Sequence, residues 1–350
     1  MRKLKRFSSI SVFSIILILI VMNCFQSKNP LGADHQIRVV ADSTIWQQSE
    51  PILREILEKV EYTPQPEKVF RLIKADLNSF KRYKNIVFLS TFDAQDEISK
   101  SINSNLSAEA RKRVEAGDII FVKRNEWANY QMVMFLIGND LPSLLNRIDE
   151  KRSEIFFQFD NYWNEFHKDI LYNYKEKKDV EQHLLKNYSW MIRVPNDFFL
   201  ETQSAKDRFV MFQRNVPLRW LSVYWIEATD PSIITKEWCI AKRNEIGKIF
   251  YEGESVEEKY EEVRVEEVIL NNRRALKLKG LWKNADDAVD PAGGPFRLYC
   301  FFDEPTERIY FIDMHLFYPE FKKRKLHYFR QMEIIANTFK TNLEISQGKL

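Results

Sequence analysis

Glycine is scarce, with nine in 350 residues. A fold that cradles a nucleotide on glycine-rich loops needs several glycines at fixed spacing, so this composition argues against one. Histidine and cysteine are scarcer, at five and three. They form no Cys-x-x-Cys, no His-Glu-x-x-His and no histidine cluster, so a zinc centre has no support in spacing and no cofactor is expected. An excess of one charge is also missing. Fifty-three Lys and Arg stand against 50 Asp and Glu, a formal net charge of +3. No global field therefore favours nucleic acid or acidic substrates. The apolar run at residues 10–22 is too short for a comfortable membrane span.

What is present begins with that run. A basic start, Met1-Arg2-Lys3-Leu4-Lys5-Arg6, precedes it and Cys24 follows it at once. The arrangement resembles a bacterial lipoprotein signal, in which the Cys becomes the lipidated first residue. Asn23 departs from the small residue usual before such a Cys. An uncleaved signal anchor and simple secretion are the alternatives. Each puts the body outside the cytoplasm, and the lipid-anchored reading places it in the cell envelope, periplasmic or surface-facing. Cys239 and Cys300 lie in apolar surroundings and read as buried free thiols rather than a disulfide.

With 45% hydrophobic and 14% aromatic residues, the chain can fill one large or two ordinary domains. After a signal at residues 1–23 and a tether at 24–35, residues 36–140 read β-α-β-β-α-β-β, which predicts a ferredoxin-like α+β domain with an antiparallel or mixed sheet. Residues 141–188 keep a helical apolar stripe and read as a connector. Residues 189–342 read as a short helix, a long run of antiparallel strands and a closing helix, an α-β-α sandwich; 343–350 is a tail. Within that second domain Asp230 is expected to cap a helix over 233–251 with Ile234, Trp238, Ala241 and Ile249 inward. Asn271-Asn272 reads as a hairpin turn.

The stretch from Gly280 organises this half. Residues 296–303 and 309–318 alternate with period two and read as paired strands. Leu326, Phe329, Met332, Ile335, Ala336 and Phe339 form one helical stripe. Gly293-Gly294 before Pro295-Phe296 implies positive φ or a close approach to a neighbour such as Trp282.

The order of these pieces resembles the PsbP/Mog1-type fold in pattern. Gly280-Leu281-Trp282 and Gly293-Gly294-Pro295-Phe296 resemble motifs of an uncharacterised bacterial lipoprotein family, a domain of unknown function. Trp127-Ala128 with Gln131, Ala241-Lys242-Arg243-Asn244, and Arg330-Gln331-Met332-Glu333 add to the likeness. The resemblance implies an envelope location and two domains, and no reaction. Lys279 and Ala292 stand where the family often has Arg and Met.

Three groups of side chains are candidates for function. Asp313 and His315, two apart on a strand, share a face about 6.5–7 Å apart and suit acid–base work in a hydrolase-like enzyme. Lys323 and Arg324 belong to a basic run before a helix, where an anion such as a phosphate or lipid headgroup would be welcome. Trp127, Arg243, Trp282 and Phe296, with Gly293 and Gly294 nearby, suit a cleft for a glycan or peptide. The reading these support is a lipid-anchored, non-catalytic binding or assembly module for an envelope protein or glycan, with the hydrolase as the alternative and no nucleic-acid partner.

Overall fold

A computed structural model describes residues 29–76, 79–285, 287–320 and 323–348. The signal segment and Cys24 lie outside the described residues. Among those described, no helix is long and apolar enough to cross a membrane. The described residues divide into two compact units, 29–59 with 68–163, and 60–67 with 164–348.

Along the chain come β1 (Gln36–Val40), α1 (Ser43–Leu57), a hairpin of β2 (Val60–Tyr62) and β3 (Pro66–Lys68), β4 (Arg71–Lys74), β5 (Asn85–Thr91), α2 (Glu97–Ser104), α3 (Ala108–Glu115), β6 (Ile120–Arg124), β7 (Met132–Gly138), α4 (Leu141–Glu150) and α5 (Arg152–Tyr172). The first unit is built on one sheet in the order β4-β1-β5-β7-β6. The α+β class is the expected one, and the sheet is mixed. A ferredoxin-like sheet would be antiparallel, whereas here β1 runs parallel to β4 and β5, and β5 parallel to β7; only β6 is antiparallel. The cause is visible in β5, where all seven residues are buried. A strand covered on both faces reads as a continuous apolar run, and parallel strands are those that crossover helices cover. Asp42 opens the first crossover by accepting from Thr44 N at 2.7 Å.

The division between the units falls within α5. The second unit continues with α6 (Lys178–Tyr188), β8 (Trp190–Met191), β9 (Phe199–Ser204), β10 (Phe209–Arg214), β11 (Leu218–Glu227), α7 (Lys236–Phe250), β12 (Ser255–Glu257), β13 (Arg264–Leu270), β14 (Arg273–Lys283), β15 (Gly293–Asp303), β16 (Arg308–Phe317), α8 (Leu326–Ala336), β17 (Lys340–Thr341) and α9 (Asn342–Ser346). One antiparallel sheet, ordered β12-β14-β15-β16-β11-β10-β9 with β13 beside β14, forms its middle layer. Alternation along β16 sends Tyr310, Ile312, Met314 and Leu316 into a core with Phe329, Met332, Ile335 and Phe339 from α8 and the turn beyond it. The opposite face sends Ile309 and Phe311 into a core with Cys239 and Ile240 of α7. This is the expected α-β-α sandwich. Each of these buried side chains contributes on the order of 1.5–3 kcal/mol of transfer free energy.

Two local expectations are corrected and a third, left as two alternatives, is decided. The helix after Asp230 is broken: residues Pro231–Ile233 form a 3-10 turn, and α7 starts afresh with Thr235 accepting from Trp238 N at 3.2 Å. Ile234 and Trp238 pack on the core as expected, but the buried face of α7 is Cys239, Ile240, Arg243, Ile246 and Gly247, while Ala241 is exposed and Ile249 is 69% exposed. The helix is thus turned to bury a charged residue that an apolar stripe does not count. Finally, neither Gly293 nor Gly294 has positive φ. The second alternative holds: a Cβ on Gly294 would stand 2.2 Å from the Leu316 carbonyl oxygen and 3.0 Å from Trp282 Nε1. The hairpin turn is as read, with Asn271 and Asn272 at φ of 43° and 67°.

Candidate functional site

Beneath α7 the second unit buries a polar cluster. β16 supplies Asp313 and His315, whose ladder partners on β11 are Ser222 and Trp220. α7 lowers Arg243 onto them, and the loop after it adds Tyr251 and Glu254. Two features fix this loop. Asn244 Oδ1 accepts from Val256 N at 2.7 Å, and Gly247 leaves room for the Glu254 carbonyl, which would lie 2.0 Å from a Cβ there.

Arg243 Nε stands 3.1 Å from Asp313 Oδ2, off the direction of a hydrogen bond, and Nη2 stands 3.8 Å from Glu254 Oε2. His315 lies 3.9 Å from Asp313 through Nδ1 and 3.9 Å from Glu254 through Nε2. Its ring stacks on Trp220 at 4.7 Å and meets Tyr251 at 4.6 Å. The Arg243 guanidinium lies 4.2 Å over Phe296. The Ser222 and Tyr251 hydroxyls are hydrogen-bonded.

Burial governs the charge states. It raises Glu254 to about 8, with Arg243 opposing and Asp313 reinforcing the shift. Burial also raises Asp313, against the pull of Arg243, and it drives His315 well below its usual value, with Arg243 adding to the fall. At neutral pH the cluster therefore holds a protonated Glu254 and a neutral His315 beside Arg243 and Asp313, whose Nε and Oδ2 stand 3.1 Å apart. Among the described residues no group of three or more His, Cys, Asp or Glu could hold a metal.

Of the side chains singled out in the sequence, Asp313, His315, Arg243, Trp282 and Phe296 come together here, and Gly294 packs against the Trp282 ring. Trp127 does not join them. It belongs to the first unit, where it packs on Phe80 at 5.2 Å and Phe88 at 6.3 Å. Lys323 and Arg324 are also elsewhere. The anion that the start of α8 calls for is the chain's own Glu67, which accepts from Lys325 N at 2.6 Å and lies 3.6 Å from Arg324 Nε. Cys239 and Cys300 are free and buried, and burial, then Cys239, raises the Cys300 thiol.

Sequence reasoning missed an open feature. A cleft of about 620 Å³ lies at one end of the second unit's sheet, lined among others by Pro231, Asn271, Arg273, Arg274, Asp303 and Glu344. Arg273 Nε donates to Asp303 Oδ1 at 2.8 Å and the same guanidinium pairs with Glu344. Asn271 Nδ2 donates to the Phe339 carbonyl at 2.6 Å. Arg274 is exposed. The doubled Asn-Asn-Arg-Arg at the hairpin was the available signal, and it reads as turn chemistry alone.

Residues 177–338 match a family described as Domain of unknown function (DUF4837), and residues 31–170 one described as Domain of unknown function (DUF8532). No curated protein matches the chain. Among solved structures, the Ran-binding protein Mog1p of Saccharomyces cerevisiae is similar at 11% identity and a TM-score of 0.30, covering 44% of this chain and 90% of that one. A single-residue mutant of protein Mog1 is similar at 10% identity and a TM-score of 0.30, with the same coverage, 44% and 90%. These likenesses concern the fold and carry no argument about activity.

Proposed function

We propose that this chain is a non-catalytic binding module of the cell envelope, anchored through lipid on Cys24, which takes a polar peptide segment of a partner protein into the cleft at Arg273 and Arg274. The observation that carries the non-catalytic reading is burial: Asp313 and His315 are 2% and 1% exposed. An acid–base pair must reach the proton it transfers, and these two face Arg243 and Glu254 instead. The cleft has the volume of a ligand site. Its lining alternates Arg274 with Glu304 and Asp303 over Phe302 and Pro305, a mixture suited to backbone amides and side chains of both signs. The anchoring reading rests on the basic start, the short apolar run and the Cys that ends it.

The test uses the full chain in its own cells, with a photo-crosslinking residue at Arg274 and a control at Val216, which is 91% exposed. A discrete adduct from position 274 alone, in the membrane fraction, with Cys24→Ser moving the protein to the soluble fraction, is the expected result. Equal adducts from both positions would sink the cleft reading. Ester or amide hydrolysis abolished by Asp313→Asn would sink the non-catalytic one.

A further inference from the structure

On the α8 face of the second unit one buried cation has no ion-pair contact among the described residues. Arg219 of β11 is 1% exposed. Its Nε and Nη1 are buried without a hydrogen-bond partner, and among the described residues Asp197 acts on it only through space, without an ion-pair contact. Its ladder partner on β10 is another cation, Arg214. Like charges directly opposite one another destabilise a sheet. Arg214 is itself paired with Asp197, so that carboxylate is already engaged.

α8 closes over the pair with Tyr328, whose ring centre lies 4.6 Å from the Arg219 guanidinium carbon; the Phe198 ring is 5.9 Å away. The Tyr328 hydroxyl has Arg219, Arg214 and Lys323 as positive neighbours. The His327 ring lies tilted against Tyr328, with centroids 3.7 Å apart. Burial, then the charges of Arg219 and His167, push it down to about 4. Burial, then Arg214, lowers Arg219 to about 9. Glu67, the nearest acid at the start of α8, is taken by Lys325 N, Leu326 N and Arg324. An aromatic face returns on the order of 0.5–2 kcal/mol to a cation. Stripping a charge of water costs several. The imbalance is what a bound anion removes.

We infer that Arg219, Arg214, Lys323 and the Tyr328 hydroxyl form a seat for a phosphate-type oxyanion, independent of the cleft proposed above. A guanidinium donates to such an oxyanion with a planar fork that an ammonium cannot reproduce. The hydroxyl can donate a further bond, and Lys323, which is exposed, stands at the rim.

The experiment is titration of the purified chain with inorganic phosphate at constant ionic strength, read by melting temperature. A saturable rise is expected for the parent. Arg219→Lys is expected to bind about tenfold more weakly, as a fork is exchanged for a point charge. Arg219→Gln should abolish saturation, and Lys323→Gln, a surface change that leaves the fold intact, should weaken binding severalfold. A second arm uses vesicles of phosphatidylglycerol in phosphatidylcholine. Co-sedimentation that free phosphate competes away assigns the seat to a lipid headgroup; a melting shift without co-sedimentation assigns it to a soluble phosphate compound. If phosphate shifts the parent, Arg219→Lys and Lys323→Gln alike, or shifts none of them, there is no seat.

Discussion

A carboxyl that keeps its proton at neutral pH makes a protein sensitive to alkali. Glu254 titrates near 8 in the folded chain against 4.5 without its surroundings. Between those values the folded state holds a proton that the unfolded state has lost. Stability from this group is thus complete below pH 4.5 and is lost as pH rises through 8, by up to roughly 1.4 kcal/mol per pH unit. His315, lowered by burial, has the opposite slope, but only below its ordinary value of 6.5. Between pH 6.5 and 8 Glu254 therefore acts without opposition from its neighbour. Glu254→Gln should flatten the fall in melting temperature over that window. Parallel curves for parent and variant would show that Glu254 ionises normally. The same cluster shows the limit of reading residues one at a time. Asp313 and His315 could be placed on one face from their spacing, yet Glu254, which sets their surroundings, lies in no motif and is brought in by the loop after α7.

Strands that begin against a neighbour's backbone need a residue without a side chain. Gly294 opens β15 with the Leu316 carbonyl oxygen where a Cβ would project, 2.2 Å from it. Backbone cannot swing away as a side chain can. Gly294→Val should cost about 2–4 kcal/mol, read as a fall in the urea midpoint. A variant that melts like the parent would mean β15 shifts freely. At this scale much was legible. Two-residue alternation marked β15 and β16, Asn271-Asn272 marked the turn between β13 and β14, and spacings of three and four marked α8. Of the residues expected inward near α7, Ile234 and Trp238 pack on the core while Ala241 and Ile249 face out, since Arg243 enters the core through pairing, which periodicity of apolar residues does not register. The parallel order of the first unit was illegible for a related reason. Which strand lies beside β5 is decided by crossovers that only long-range packing selects.

Over the whole chain, the hairpin of β2 and β3 is the unexpected part, because residues 60–67 complete the second unit. Lys279 Nζ donates to Glu61 at 3.0 Å, and Arg297, 4% exposed at its side chain, lies 3.3 Å from the same carboxylate. Arg297 also pairs with Glu333 of α8 at 2.8 Å. Arg297 and Lys279 hold Glu61 below the usual carboxylate range although burial opposes them. Glu67 caps α8. Glu61→Ala with Glu67→Ala should lower the stability of the second unit by about 2–4 kcal/mol, followed by near-ultraviolet circular dichroism of its tryptophans during urea unfolding. An unchanged midpoint would make the hairpin ornamental to that unit. The arrangement bears on how such a gene can change. A single crossover or truncation between the halves would carry away Glu61 and Glu67 with the wrong partner, leaving Arg297 and the start of α8 without their acids. Inheritance of the second half as an independent module would require either a circularly rearranged gene or new carboxylates raised elsewhere in it.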